Sequence, residues 1–268
     1  MSRTSVVYLL STAVGSALAV SACSPFESNR KFDTTEVRNI KIVGDRQETF
    51  SDAVSVITWP SSVLNESPPP IDSQECSISG NDINDVDVQV RGDTIDIDIR
   101  GSEKDVAMTC TILDLATIEA IDIGVRLSIQ AGVERLEMVR IVRDSLRVEH
   151  WVDLAEIRYS LVEADVRVES SLAEPVVEMV AERSSIRFNR MRRLDATLVD
   201  SRVRRGAFVE EEANLDLSAS VVENLCAPGV LVVRAVEGSN VSYDCDPDLL
   251  DVDVDESSAV QPDRKSVV

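Results

Sequence analysis

The side chains that could do chemistry are one histidine, five cysteines and a large excess of acids. A Ser–His–Asp mechanism would have to run through His150, the only imidazole. It lies in Val148-Glu149-His150-Trp151, between two apolar pairs, and no G-x-S-x-G elbow accompanies it. G-x-G-x-x-G, Walker and H-E-x-x-H patterns are absent, so the chain announces no cofactor. With one His and no C-x-x-C pair, a zinc site is not expected either.

The carboxylates leave one catalytic alternative open. Two acids held ~5 to 9 Å apart can hydrolyse a glycoside, and Arg140, Arg143, Arg147, Arg158 and Arg167 lie among acids that could supply such a pair. A simpler expectation is that these arginines bridge to acids on neighbouring strands, with Arg167 facing Glu169 and Arg187 near Glu182. A second basic block gathers Arg190, Arg192, Arg193, Arg202, Arg204 and Arg205. It is a candidate patch for an anionic glycan or lipid head group, or is balanced by nearby acids.

Those residues need a scaffold, and the spacing of apolar residues supplies one. Leu146/Val148, Ile157/Tyr159, Val166/Val168, Val177/Met179 and Ile186/Phe188 are i, i+2 pairs, the mark of strands. Pairs beginning at 146, 166 and 186, and at 157 and 177, recur every 20 positions. Strand pairs at a fixed period of roughly 20 residues predict a chain coiled on itself, a β-solenoid. Val-, Leu- and Ile-rich composition with only 4% aromatics agrees. The period drifts after Leu194. Upstream, Val86–Val90 and Ile95–Ile99 alternate around Gly92-Asp93 and predict a hairpin. The expected class is therefore all-β: a solenoid-like stack of short strands with an N-terminal antiparallel block.

The ends of the chain carry an address. Arg3, the apolar run Val6–Val20 and Val20-Ser21-Ala22-Cys23 look like a bacterial lipoprotein signal over residues 1–22. Cys23 would then be acylated and tie the protein to a membrane. Ser24 after it points to the outer membrane if the cell is Gram-negative. Residues 23–34 read as a tether, 35–245 as the solenoid domain, and 246–268, rich in Asp and Ser, as a disordered acidic tail. An exported chain with four further cysteines suggests disulfides. Of three possible pairings, Cys76–Cys110 and Cys226–Cys245 are expected, because each would brace one end of the ladder. A net charge of −21 repels phosphate backbones and excludes nucleic acid as a natural partner.

The lipoprotein signal, the Val-Asp-Val-Gln-Val-Arg-Gly-Asp-Thr-Ile-Asp-Ile-Asp-Ile hairpin and the long run of L-x-V strands resemble the auto-transporter adhesin head (GIN) domain of exported bacterial proteins. The resemblance covers about Val37 to Tyr243 and departs in having few glycines between strands. It implies a β-helix-like stack and offers no catalytic residues to carry over. The sequence thus leads to a non-catalytic, lipid-anchored envelope solenoid that binds a glycan or protein partner or serves as a support. The alternative is a polysaccharide lyase or hydrolase on the same fold.

Overall fold

A computed structural model describes residues 28–44, 54–59, 74–80, 86–99, 107–123, 126–131, 135–150, 155–170, 174–204 and 206–263. Cys23, Arg205 and the proline-rich stretch 61–72 lie outside them.

Alternation decides the architecture. In β12 (Glu156–Val162) and β14 (Val176–Glu182), every second side chain is buried. Such strands have one apolar face each and need a second sheet to cover it. The chain satisfies this by coiling: each turn gives one strand to an 11-stranded sheet and the next to a 12-stranded sheet, and the inward faces meet. The first sheet contains β2 (Asn39–Val43), β8 (Thr117–Ile121), β10 (Arg135–Val142), β12, β14, β16 (Arg190–Val199), β18 (Phe208–Ser218) and β20 (Val230–Val236). The second contains β3 (Val54–Trp59), β9 (Arg126–Ala131), β11 (Ser145–His150), β13 (Asp165–Ser170), β15 (Ser185–Arg187), β17 (Arg202–Val203), β19 (Val221–Leu225) and β21 (Asn240–Tyr243). Pairing between rungs is parallel. Leu146 aligns with Val166 and Val166 with Ile186, while Ile157 aligns with Val177 and Tyr159 with Met179. The 20-residue period is therefore the rung.

Residues 156–162 and 165–170 form β12 and β13. Tyr159 is the bulky member of this core, and burial pushes its phenol well above its ordinary pKa.

The two ends differ. At the N-terminal end, β6 (Thr94–Asp98) and β7 (Ala107–Leu113) stack outside β2 and β3, although they follow them in sequence. Three antiparallel strands then close that end. β5 (Asp87–Arg91) lies on β6, β4 (Glu75–Gly80) on β7, and β1 (Ser28–Asp33) on β4. The predicted hairpin is β5–β6. Cys76 and Cys110, opposite each other in β4 and β7, form a disulfide that fastens the closing strand to the stack. The second predicted disulfide, Cys226–Cys245, ties the segment after β19 to that after β21.

Two boundaries need correction. Part of the expected tether is strand β1. The expected disordered tail is also ordered through residue 263, since β22 (Leu249–Val254) and β23 (Ala259–Pro262) add another rung. Asp251 and Asp253 alternate with Leu250, Val252 and Val254, so what reads as a solvated acidic run is a strand with acids outside. This last rung has no neighbour beyond it in either sheet. Val252, aligned with the fully buried Val233, is 39% exposed.

The scarcity of glycine has a structural answer at one corner. Asp122, Arg143, Glu163, Arg183, Asp200, Ala219 and Glu237 all take positive φ there, on successive rungs. Left-handed backbone costs an ordinary residue ~1 to 2 kcal/mol. Two cross-rung contacts offset it. Each corner residue from Asp122 to Ala219 donates its N–H to a carbonyl ending the strand of the next rung, as Arg143 does to Val162 (2.8 Å). Behind it a buried hydroxyl accepts from the previous rung: Ala164 N–H to Ser184 Oγ, Ser184 N–H to Ser201 Oγ, Ser201 N–H to Ser220 Oγ, each 3.0 Å. Ser239 and Ser258 continue the series. Its steps are 20, 17, 19, 19 and 19 residues, which explains why the sequence period drifts after Leu194.

Candidate functional site

Outward-facing side chains carry the charge, and several cations are bridged to acids on neighbouring rungs. Glu119 sits between Lys41 (2.7 Å) and Arg140 on the rungs either side. Burial raises its pKa, but those two cations together outweigh burial and hold it below the ordinary glutamate value. Arg158 reaches Glu178 (2.6 Å), Arg135 reaches Glu156 (3.2 Å) and Arg193 reaches Glu211 (2.7 Å). At the corner, Asp122 pairs with Arg143 and Glu163 with Arg183 (3.1 Å). Exposed pairs of this kind contribute ~0 to 1 kcal/mol each. Bridging is thus what the structure gives Arg140, Arg143 and Arg158, three of the five arginines considered for a catalytic site.

The second basic block is not one patch. Arg192 and Arg193 belong to β16 in one sheet, whereas Arg202 belongs to β17 in the other and Arg204 follows that strand. Arg193 is bridged to Glu211, and Arg202 to Glu223. Arg190 spans Glu174 and Glu210 and lies over the Phe208 ring at 5.0 Å. The neighbouring Glu174 carboxylate raises the Glu210 pKa. His150 ends strand β11. Cys226, Asp244 and Cys245 come close together, but the two sulfurs are committed to the disulfide and cannot act as thiolate ligands.

One column carries arginines in register. Arg147 aligns with Arg167, and Arg167 with Arg187, on adjacent parallel strands. Arg204 donates its backbone N–H to the Ile186 carbonyl (2.7 Å), which places it next in the series. Arg147, Arg167 and Arg187 therefore stand in register on the 12-stranded sheet, one strand spacing (~4.8 Å) apart, and Arg204 lies just past the end of β17. They line a groove of about 210 Å³ together with Ser145 and Asp165. The expected Arg187–Glu182 contact is absent because Glu182 is taken by Arg183. No ion pair to Arg187 or Arg204 occurs among the described residues. The column ends at Ser128 on one side and at Glu223, the position after Val222, on the other.

The sequence held a signal for this column. Arginines at 147, 167 and 187 repeat with the same 20-residue step as the apolar pairs, but reading each one locally, against its nearest acid, hides the stack. Arg204 lies three residues nearer than that step predicts, because the rung from Ser184 to Ser201 is 17 residues.

Among solved structures, the chain resembles a candidate adhesin from Parabacteroides merdae, with TM-score 0.62 and 11% identity over 89% of this chain and 96% of that one. It also resembles a candidate lipid-binding protein from Parabacteroides distasonis, with TM-score 0.60 and 11% identity over 89% of this chain and 97% of that one. No family model and no curated protein matches the sequence. At such identity the likeness is one of fold, and the fold shared with these proteins is the β-solenoid with its antiparallel end.

Proposed function

We propose that the protein is a non-catalytic, lipid-anchored binding scaffold of the bacterial cell envelope, of the adhesin-head (GIN) type. The observation that carries this reading is the rigid stack of parallel rungs, which holds outward side chains at a fixed spacing on two broad sheet faces. Fixed side chains on stacked strands suit recognition of an extended partner. The two disulfides fit an oxidising, extracytoplasmic compartment. The names of the two structural neighbours, adhesin and lipid-binding, are compatible with binding rather than turnover. Among the described residues the arginine-lined groove has one carboxylate on its wall, Asp165, where retaining or inverting glycoside chemistry uses two.

Anchoring is tested by expressing the full chain and its Cys23→Ala variant in a Gram-negative host and separating membranes from soluble periplasm. The wild type should sediment with outer membranes and label with a palmitate analogue. A Cys23→Ala variant that labels and sediments equally would remove the anchor from the proposal. Release of reducing ends from a panel of acidic polysaccharides would replace the scaffold reading with the enzyme.

A further inference from the structure

We infer that β22, the open edge of the 11-stranded sheet, takes up an extended segment of a partner protein in which aliphatic residues alternate with lysine or arginine. The inference rests on the scaffold reading and deepens it by giving the scaffold a class of partner.

The core is cut open at β22. Leu250, Val252 and Val254 align with the fully buried Leu231, Val233 and Ala235, yet they are 41%, 39% and 38% exposed. Among the described residues no strand lies beyond β22, so its outer row of backbone groups is a template for another strand. Sheet edges are commonly blocked by shortness, by proline or by a charge on the inward face. β23, the matching edge of the other sheet, has four residues and ends in Pro262. β22 has six residues, no proline, and acids at its outward positions alone.

That outward row says what the next strand carries. In the stack Glu119 lies between Lys41 and Arg140 on the rungs either side. Asp216, Arg234 and Asp253 form a similar column on β18, β20 and β22, with Arg234 4.0 Å from Asp216. The next place in this column suits a cation. Asp251 and Asp253 make no ion pair among the described residues. The edge strand at the other end of this sheet is different, since Asp87, Gln89 and Arg91 of β5 hydrogen-bond one another along the strand. A second copy of the chain suits β22 poorly. Antiparallel pairing about Val252 sets Asp251 of each copy against Asp253 of the other, and like charges directly opposite are destabilising. A basic alternating strand instead continues the apolar core inward and the alternation of sign outward, and the chain's charge of −21 attracts it.

Binding is measured with the full-length protein in detergent, by fluorescence anisotropy of the labelled peptide acetyl-Thr-Val-Lys-Val-Lys-Val-Thr-amide. This peptide should bind. One with glutamate for lysine, and a scrambled one of the same composition, should bind about tenfold more weakly or worse. Val252→Lys puts a charge on the inward row and should abolish binding. Asp251→Lys, aligned with the uncharged Val232, should lower affinity about fivefold. Asp251 points outward, so this second variant remains informative if Val252→Lys unfolds the last rung. No binding by the wild type overturns the inference and leaves standing the scaffold reading, which release of reducing ends tests separately. Equal binding of the scrambled peptide, or binding that survives both substitutions, overturns the assigned edge. Wild-type dimers in sedimentation that Val252→Lys dissolves overturn the basic partner in favour of a second copy. Binding that appears only when residues 264–268 are removed gives the edge to those residues and overturns the partner.

Discussion

Two columns of charged residues climb this solenoid and follow opposite rules. At the corner, Asp122, Arg143, Glu163 and Arg183 alternate in sign on successive rungs. On the sheet face, Arg147, Arg167, Arg187 and Arg204 do not. Both columns use the same rung spacing and the same kind of backbone register, so geometry does not separate them. The corner column carries left-handed residues whose conformation has to be held, and its ion pairs help hold it. Arg147, Arg167 and Arg187 sit on regular strands that need no such help. Alternation of sign is thus tied to the corner, where the backbone has to be held, and not to the stack as a whole.

The comparison can be broken most severely from beneath. Leu146 is buried below the face column, and Leu146→Ala should cost about 2 to 5 kcal/mol through lost burial and a residual cavity. Urea denaturation would show the loss, and a shift under 1 kcal/mol would mean that the two sheets are less tightly packed there than described. Substituting Arg187→Glu imposes the corner's rule on the face. It should raise stability by roughly 0.5 to 1 kcal/mol by replacing repulsion with attraction, with Tm as the readout; an unchanged or lower Tm would mean that the arginines do not strain the fold. The reverse exchange, Arg183→Glu, places Glu163 and Glu182 beside a third acid. A loss of about 0.5 to 1 kcal/mol is expected at low salt, shrinking as salt is added; a salt-independent loss would assign the effect to packing.

The smallest effect is in pH. Glu119 is held below its ordinary pKa of 4.5 by Lys41 and Arg140. A lowered folded-state value means that the unfolded chain takes up the proton first. Its contribution is therefore present above about pH 4.5 and is lost as pH falls through the lower folded value. Glu210 has the opposite sign: its raised pKa means that stability declines as pH rises from 4.5 through the folded value, because ionised Glu210 faces Glu174. Glu119→Gln should flatten the first dependence and Glu210→Gln the second, in Tm measured against pH.

Register in the middle of the stack was legible in the sequence because period 2 and a constant 20-residue step occur together from Leu146 to Phe188. Both disulfide pairings could be chosen for a related reason, since bracing the ends of a ladder needs cysteines near each end. Three things were hidden. β6 and β7 stack outside β2 and β3, an order in space that local alternation does not record. β22 was masked by its acids, since a strand at the open edge of a sheet has the composition of a solvated tail. The arginine column required knowing which outward residues touch across 20 positions, and charge balance within a short window points each arginine elsewhere.

The corner serines have one more consequence. Each buried hydroxyl serves the rung before it, so the row of hydrogen bonds runs in a single direction, from Ala164 toward Ser258. Whole rungs of 19 residues could then be removed or duplicated between Ser201 and Ser239 while every corner donor still finds an acceptor below it. The length of the molecule is in that sense an adjustable quantity. Lengthening the stack this way would push its open end farther from the closed one without redesigning either.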